Sequence, residues 1–314
     1  MCRGLILLAG LGAVLTALSP ARAMAGGDDP LTRPIAPELA PRWLETGGAV
    51  RVHGSTWLMG LTHMNVVLIA TDAGLILIDA GLPQAAPLIE QGIRAAGYRV
   101  TDIKLILSSE PHYDHAGGIA ALARDSGARV LASAAGATVL RAGMSGAEDP
   151  QRAALFPYPP VPRVTTVHDG EHIRLGDMQV VAHATPGHTP GSMSWSWMSC
   201  TQGGVQDCAA IVFAASLNSR TEGDYRYSSR DHAAVRRQFR RSFATIRALP
   251  CDIVITGHPE HSDGEARMAQ LRNDPGGDGY RSPGACHSLA DRYEAAFDAR
   301  LAEEAAAVLP AGGR

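Results

Sequence analysis

The chain has 314 residues, 46% of them hydrophobic, and 28 lysines and arginines against 31 aspartates and glutamates leave a net charge of -3. That length holds one large or two ordinary domains, and the apolar content suits a packed core rather than a disordered chain. No basic cluster gives a footprint for nucleic acid or an anionic membrane, and the arginines of 230–247 read as the wet face of a helix, so small molecules are the expected partners.

Residues 1–25 read as a secretion signal: Arg3, an apolar run over 5–18, Pro20, then small-residue cleavage sites at Ala21-Arg22-Ala23 or Ala23-Met24-Ala25. A transmembrane anchor is the rival reading, but the run falls short of the roughly 20 residues a span needs. The mature chain is therefore expected in the periplasm. Residues 26–42 are Pro-rich and polar, an extension that tethers or wraps the surface, and 43–314 are expected to form a single domain.

Regular structure is expected from about Val50. Residues 65–71, the turn Asp72-Ala73-Gly74 and residues 75–79 predict two apolar strands in a tight hairpin. Residues 88–96 carry helical periodicity closed by Gly97, and 103–107 form a short buried strand. A helix at 115–124, a strand at 129–132 and a helix at 134–142 follow. The second half predicts strands at 172–175, 178–184, 192–198 and 209–215, a long helix at 231–249, a strand at 252–256 and a last helix at 288–307. Each half supplies a sheet followed by helices, which implies an α/β protein with two sheets packed together and helices outside.

Of the five cysteines, Cys2 falls in the signal. The remaining four form an even set in an oxidising compartment, where disulfides persist. Cys200 and Cys208 flank a short Gly-containing loop and would staple a hairpin, leaving Cys251 for Cys286. Four zinc thiolates are the alternative, but no paired C-x-x-C knuckle occurs.

Most of the 12 histidines read as surface or hydrogen-bonded residues. The exceptions sit in three loops that follow apolar strands: Glu110-Pro111-His112-Tyr113-Asp114-His115, Thr185-Pro186-Gly187-His188-Thr189-Pro190-Gly191, and Thr256-Gly257-His258. Imidazoles and carboxylates converging from separate loops are what two borderline dications need, because one short peptide cannot surround both. Glu110 and His112 leave the same face of an extended segment toward one ion, and Asp114 and His115 turn toward a second. Gly117, Gly118, Gly187 and Gly191 are expected to let the backbone pack closely around the ions. A nucleophilic-serine mechanism lacks its residues: the one lysine is Lys104, and no S-x-x-K occurs.

These motifs resemble the metallo-β-lactamase superfamily, whose H-x-H-x-D-H signature appears here as Glu110-x-His112-x-Asp114-His115, and the resemblance covers nearly all of the mature chain. It implies a four-layer αββα sandwich. It also implies two zinc ions, one on Glu110, His112 and His188 and one on Asp114, His115 and His258, with Asp114 orienting the attacking water. Many members carry a second, bridging aspartate at the end of a later strand, where this chain reads Ala214-Ala215-Ser216-Leu217-Asn218. That replacement resembles the third subclass of zinc β-lactamases. It implies hydrolysis of the lactam amide by a metal-bound hydroxide, with Ser216 and Asn218 donating to the substrate carboxylate, and a disulfide-bearing monomer that confers antibiotic resistance. Ser216 as a plain strand cap is the rival reading. Glu110 replaces the usual histidine, and a carboxylate should weaken the Lewis acidity of site 1 and lower its occupancy. Tyr225 and Tyr227 receive no role. Two other functions stay open: an exported hydrolase of a lactone, thioester or ester, and a zinc-binding protein without turnover.

Overall fold

The computed structural model describes residues 29–201 and 207–308 together with Met1, so the expected signal lies outside the described residues, Met1 excepted. In chain order the elements are α1 (Ala40–Trp43), β1 (Val50–His53), β2 (Thr56–Leu58), β3 (Val67–Thr71), β4 (Gly74–Ile78), α2 (Ala86–Ala95), β5 (Ile103–Leu107), α3 (Tyr113–Ala116), α4 (Ile119–Ser126), β6 (Arg129–Ala132) and α5 (Ala134–Ala142). The second half adds β7 (Val164–Thr166), β8 (His172–Leu175), β9 (Met178–Ala184), β10 (Met193–Cys200), β11 (Cys208–Ala214), α6 (Ala233–Ala248), β12 (Ile253–Thr256), α7 (Gly264–Asn273) and α8 (Ala285–Val308).

Strands β1 to β7 form one sheet in chain order, antiparallel as far as β4 and parallel from there to β7. The second sheet runs β12-β11-β10-β9-β8, with only β12 added parallel, to β11. Each parallel addition needs a crossover, and α2, α4, α5 and α6 provide them.

Alternation along the strands builds three apolar interlayers. Val67, Ile69, Ile76 and Ile78 of the first sheet face Val180, Trp195, Ile211 and Phe213 of the second. The opposite faces of the same strands, Leu68, Leu75 and Leu77, pack under Ile89, Ile93, Ile119 and Leu122 of the first helical layer. Val212, Ala214 and Val254 pack against Phe239, Phe243 and Phe297 of α6 and α8. The result is the four-layer αββα sandwich.

Several details differ from the sequence expectation. The helix expected over 115–124 divides at Gly117–Gly118 into α3 and α4, and α7 and the three-residue strands β2 and β7 were not foreseen. The four glycines expected around the ions instead admit other parts of the protein. A Cβ on Gly117 or Gly118 would collide with Pro83 or with the Ala80 carbonyl, one on Gly187 would lie 2.8 Å from Phe239, and one on Gly191 2.5 Å from the Gly136 amide.

Both cysteine pairs are disulfides. Cys200–Cys208 joins paired positions of β10 and β11, and Cys251–Cys286 ties the entrance of β12 to α8. Among the described residues no helix is long and apolar enough to cross a membrane.

Candidate metal centre

The site forms where β4, β5, β9, β11 and β12 end on one rim, since loops leaving strand ends carry the freedom that ligands need while the strands fix their origin. Asp79, just past β4, has a positive φ of 63°. Such a conformation is costly for a residue with a Cβ and persists only where neighbours hold it. Here the Ser109 N–H (2.7 Å) and hydroxyl (2.5 Å) donate to its carboxylate, which lies 3.4 Å from His115 Nδ1.

Asp114, His115 and His258 converge as one group, and Glu110, His112 and His188 as another, each with its ligand atoms within 4.8 Å of one another. In the first group, His115 Nε2 lies 3.3 Å from His258 Nε2, and Asp114 Oδ2 is 3.2 Å from His258 and 3.7 Å from His115. A tetrahedral ion with bonds of about 2.1 Å spaces its ligand atoms about 3.4 Å apart, so this triangle fits a small dication. A methyl group at Gly257 would collide with the His115 ring, so His115 requires a glycine there.

Two of the four imidazoles are hydrogen-bonded through their outer nitrogen: His112 donates Nε2–H to Asp149 (2.9 Å), and His188 donates Nδ1–H to the Asn218 carbonyl (2.9 Å), while His115 Nδ1 faces Asp79 at 3.4 Å without a hydrogen bond. Such partners fix the tautomer and aim the other nitrogen inward, as metal ligands require. The free nitrogen of His188 accepts from the Gln151 side-chain amide at 3.1 Å.

Glu110 is buried between the two groups. Its Oε1 is 2.9 Å from His115 Nε2 and 3.7 Å from His188 Nε2, closer to the histidine of the Asp114, His115 and His258 group than to that of its own. Ser216 holds it there: the Ser216 N–H donates to Oε2 (3.0 Å) and the hydroxyl to Oε1 (3.1 Å). The serine expected to meet a substrate carboxylate thus meets a carboxylate of its own chain.

Electrostatics follow from this crowding. Burial opposes charge on Glu110 and on Asp114, yet the adjacent imidazoles hold both carboxyls below their usual range. Burial likewise opposes the His115 imidazolium, but Glu110 and Asp114 carry its pKa well above the ordinary value. Burial leaves His188 below it. A field that favours a proton on His115 is one that favours a cation in the same place.

The groups open into a cavity of about 350 Å³ whose lining includes Trp43, Tyr113, Phe156, Asn218 and Arg220. Pro37, Glu38 and Leu39 of the N-terminal extension line it, and just beyond them the Trp43 ring lies 5.5 Å from that of His258 and 6.3 Å from that of Tyr113. On the facing wall Phe156 packs edge-on against Tyr113 at 5.3 Å. Tyr227 is a core residue, and Tyr225 stacks on His232 at 3.9 Å; neither lines the cavity. Sequence reasoning did not single out Asp79, Asp149, Gln151 or Arg220. Asp79 alone carried a signal, a carboxylate closing an apolar strand.

A family model, the metallo-beta-lactamase superfamily, matches residues 59–201. A structure characterised as the first B3 metallo-beta-lactamase with an active-site glutamic acid is 46% identical, with a TM-score of 0.80 over 88% of this chain and 99% of its own. A subclass B3 metallo-beta-lactamase from a soil metagenome library is 42% identical, with a TM-score of 0.80 over 84% of this chain and 99% of its own. The hydroxyacylglutathione hydrolase of Anaeromyxobacter dehalogenans is 31% identical over 50% of this chain and 49% of its own length. The chain spans about half the length of the curated relatives it matches. The chain belongs to the metallo-beta-lactamase superfamily, a family of hydrolases. Within it the kinship is with subclass B3, and with a member that also carries a glutamate in its active site.

Proposed function

We propose that the protein hydrolyses the amide bond of β-lactam antibiotics with two zinc ions, conferring resistance. One ion is assigned to Glu110, His112 and His188 and the other to Asp114, His115 and His258, and the observation that carries the reading is the pair of buried ligand groups with anchored imidazoles. Zinc in such a site polarises a carbonyl and lowers the pKa of water from 15.7 to about 7.

The chain's own residues do the rest. Asp114, buried and held ionised, orients the attacking water and takes its proton. Water adds across the lactam C–N bond, its oxygen to the carbonyl carbon and a proton to the nitrogen. Trp43 and Phe156 wall the cavity and limit bulk water there. Asn218 reaches the cavity beside His188, while Ser216 supports Glu110. The mature enzyme is read as a periplasmic monomer released by cleavage after Ala23 or Ala25.

The test is steady-state hydrolysis of a penicillin, a cephalosporin and a carbapenem by protein recovered from the periplasm, with zinc and with a chelator. Ring opening that the chelator abolishes is expected, from a chain whose intact mass matches cleavage near residue 25. Turnover of a lactone, thioester or ester but of no β-lactam would transfer the protein to another hydrolase class of the family. Bound zinc without turnover of any of them would make it a binding protein.

A further inference from the structure

Both donors of Ser216 are engaged by Glu110, so this serine has none left for an incoming anion. Bicyclic β-lactams carry a carboxylate next to the lactam nitrogen, and the cavity that would receive it is itself lined by Glu38, Glu110, Asp114 and Glu260. Two dications offset Glu110 and Asp114. The substrate carboxylate still needs a cationic partner.

We propose that Arg220 binds that carboxylate and so sets the preference for anionic substrates; the inference rests on the β-lactam reading. Arg220 is the one arginine or lysine in the cavity lining, it is exposed, and its guanidinium has no ion pair or hydrogen bond among the described residues. Its backbone, in contrast, is fixed at both ends. The Arg220 N–H donates to the Asn218 side-chain oxygen (3.2 Å), and its carbonyl accepts from the hydroxyl of the buried Tyr227 (3.2 Å). Asn218 is tied through its own carbonyl to His188 Nδ1 at 2.9 Å, so a two-residue link connects the arginine to a proposed zinc ligand. A fixed base with an unpaired planar fork is suited to a carboxylate, which the guanidinium meets with two parallel hydrogen bonds.

The test compares a chromogenic cephalosporin with its carboxylate methyl ester, using zinc-loaded wild type, Arg220→Ala and Arg220→Lys. Arg220→Ala should raise KM for the acid about tenfold or more, leave kcat within a few-fold and leave the ester unaffected, with Arg220→Lys in between. A second arm measures calorimetric binding of mercaptoacetate and of uncharged mercaptoethanol to the same proteins. The wild type should favour the acid, and Arg220→Ala should lose that preference. Retained discrimination in Arg220→Ala, or its loss in Ser216→Ala instead, overturns the proposal, as does a wild type that takes mercaptoacetate no better than mercaptoethanol. A wild type that opens no β-lactam but still selects mercaptoacetate through Arg220 sinks the substrate reading and leaves the anion site standing.

Discussion

Glu110 and Ser216 form a coupled pair, because one carboxylate faces imidazoles on one side and two donors of a single serine on the other. Partners of metal ligands commonly govern affinity by ten- to a hundredfold. Replacing Ser216 with alanine removes the hydroxyl contact and keeps the N–H contact, so the Glu110→Ala and Ser216→Ala variants separate ligation from support. In a zinc competition titration against a chromophoric chelator, Glu110→Ala should lose about one ion, whereas Ser216→Ala should keep two with one weakened about tenfold. Unchanged affinity for both ions in Glu110→Ala would remove it from the ligand set. The histidines and Asp114 could be read from sequence because strand ends and short spacings bring ligands together by rule. Asp79 and Asp149 could not, since a carboxylate that steadies the far nitrogen of an imidazole comes from any loop within reach. The pairing of Ser216 with Glu110 joins positions 106 residues apart, and no local pattern announces it.

Elements with a strong apolar rhythm were legible almost to the residue: β5 lies at Ile103–Leu107 and α5 at Ala134–Ala142, as the sequence implies. The helix α7 was not, because Met268 and Leu271 are its only buried large apolar side chains, too few to mark a period. The strands β2 and β7 have three residues each, below the length at which alternation shows. The two disulfides act at this scale and differ in reach. Cys251–Cys286 spans a sequence separation of 35 and Cys200–Cys208 one of 8. Loop-closure entropy grows with the logarithm of the closed length, which gives about 3.8 kcal/mol for the longer crosslink and about 2.6 kcal/mol for the shorter. Urea unfolding of the two Cys→Ala double variants should therefore show the larger loss for the pair at 251 and 286. It should also show weaker protection of α8, which that bond fastens to the second sheet. Equal losses would mean that the hairpin staple contributes by some route other than closure.

Across the whole molecule, the loop that leaves β12 meets the last helix at His261, which lines the cavity, faces the His258 ring at 5.2 Å and packs on Tyr293 of α8 at 5.8 Å. Burial and the neighbouring His258 and His188 rings push its pKa down to about 3, against about 6.5 in an unfolded chain. The unfolded state therefore binds a proton that the folded state refuses between those two values. Stability from this group is complete above about pH 6.5 and is lost as pH falls toward 3. His115 has the opposite sign: its pKa is raised, so in metal-free protein its contribution is complete below about 6.5 and lost as pH rises through the folded value. His261→Phe keeps the ring and removes the proton. Thermal melts of chelator-treated protein should accordingly show a shallower acid limb between pH 6.5 and 4 in His261→Phe than in the wild type, with the alkaline limb the same in both. Identical acid limbs would show that His261 takes its proton freely in the folded state. Zinc added to the wild type should raise the melting temperature more at pH 8 than at pH 6, because the imidazoles must give up protons to bind it. A larger rise at pH 6 would mean that the stabilising ion sits on ligands other than these histidines.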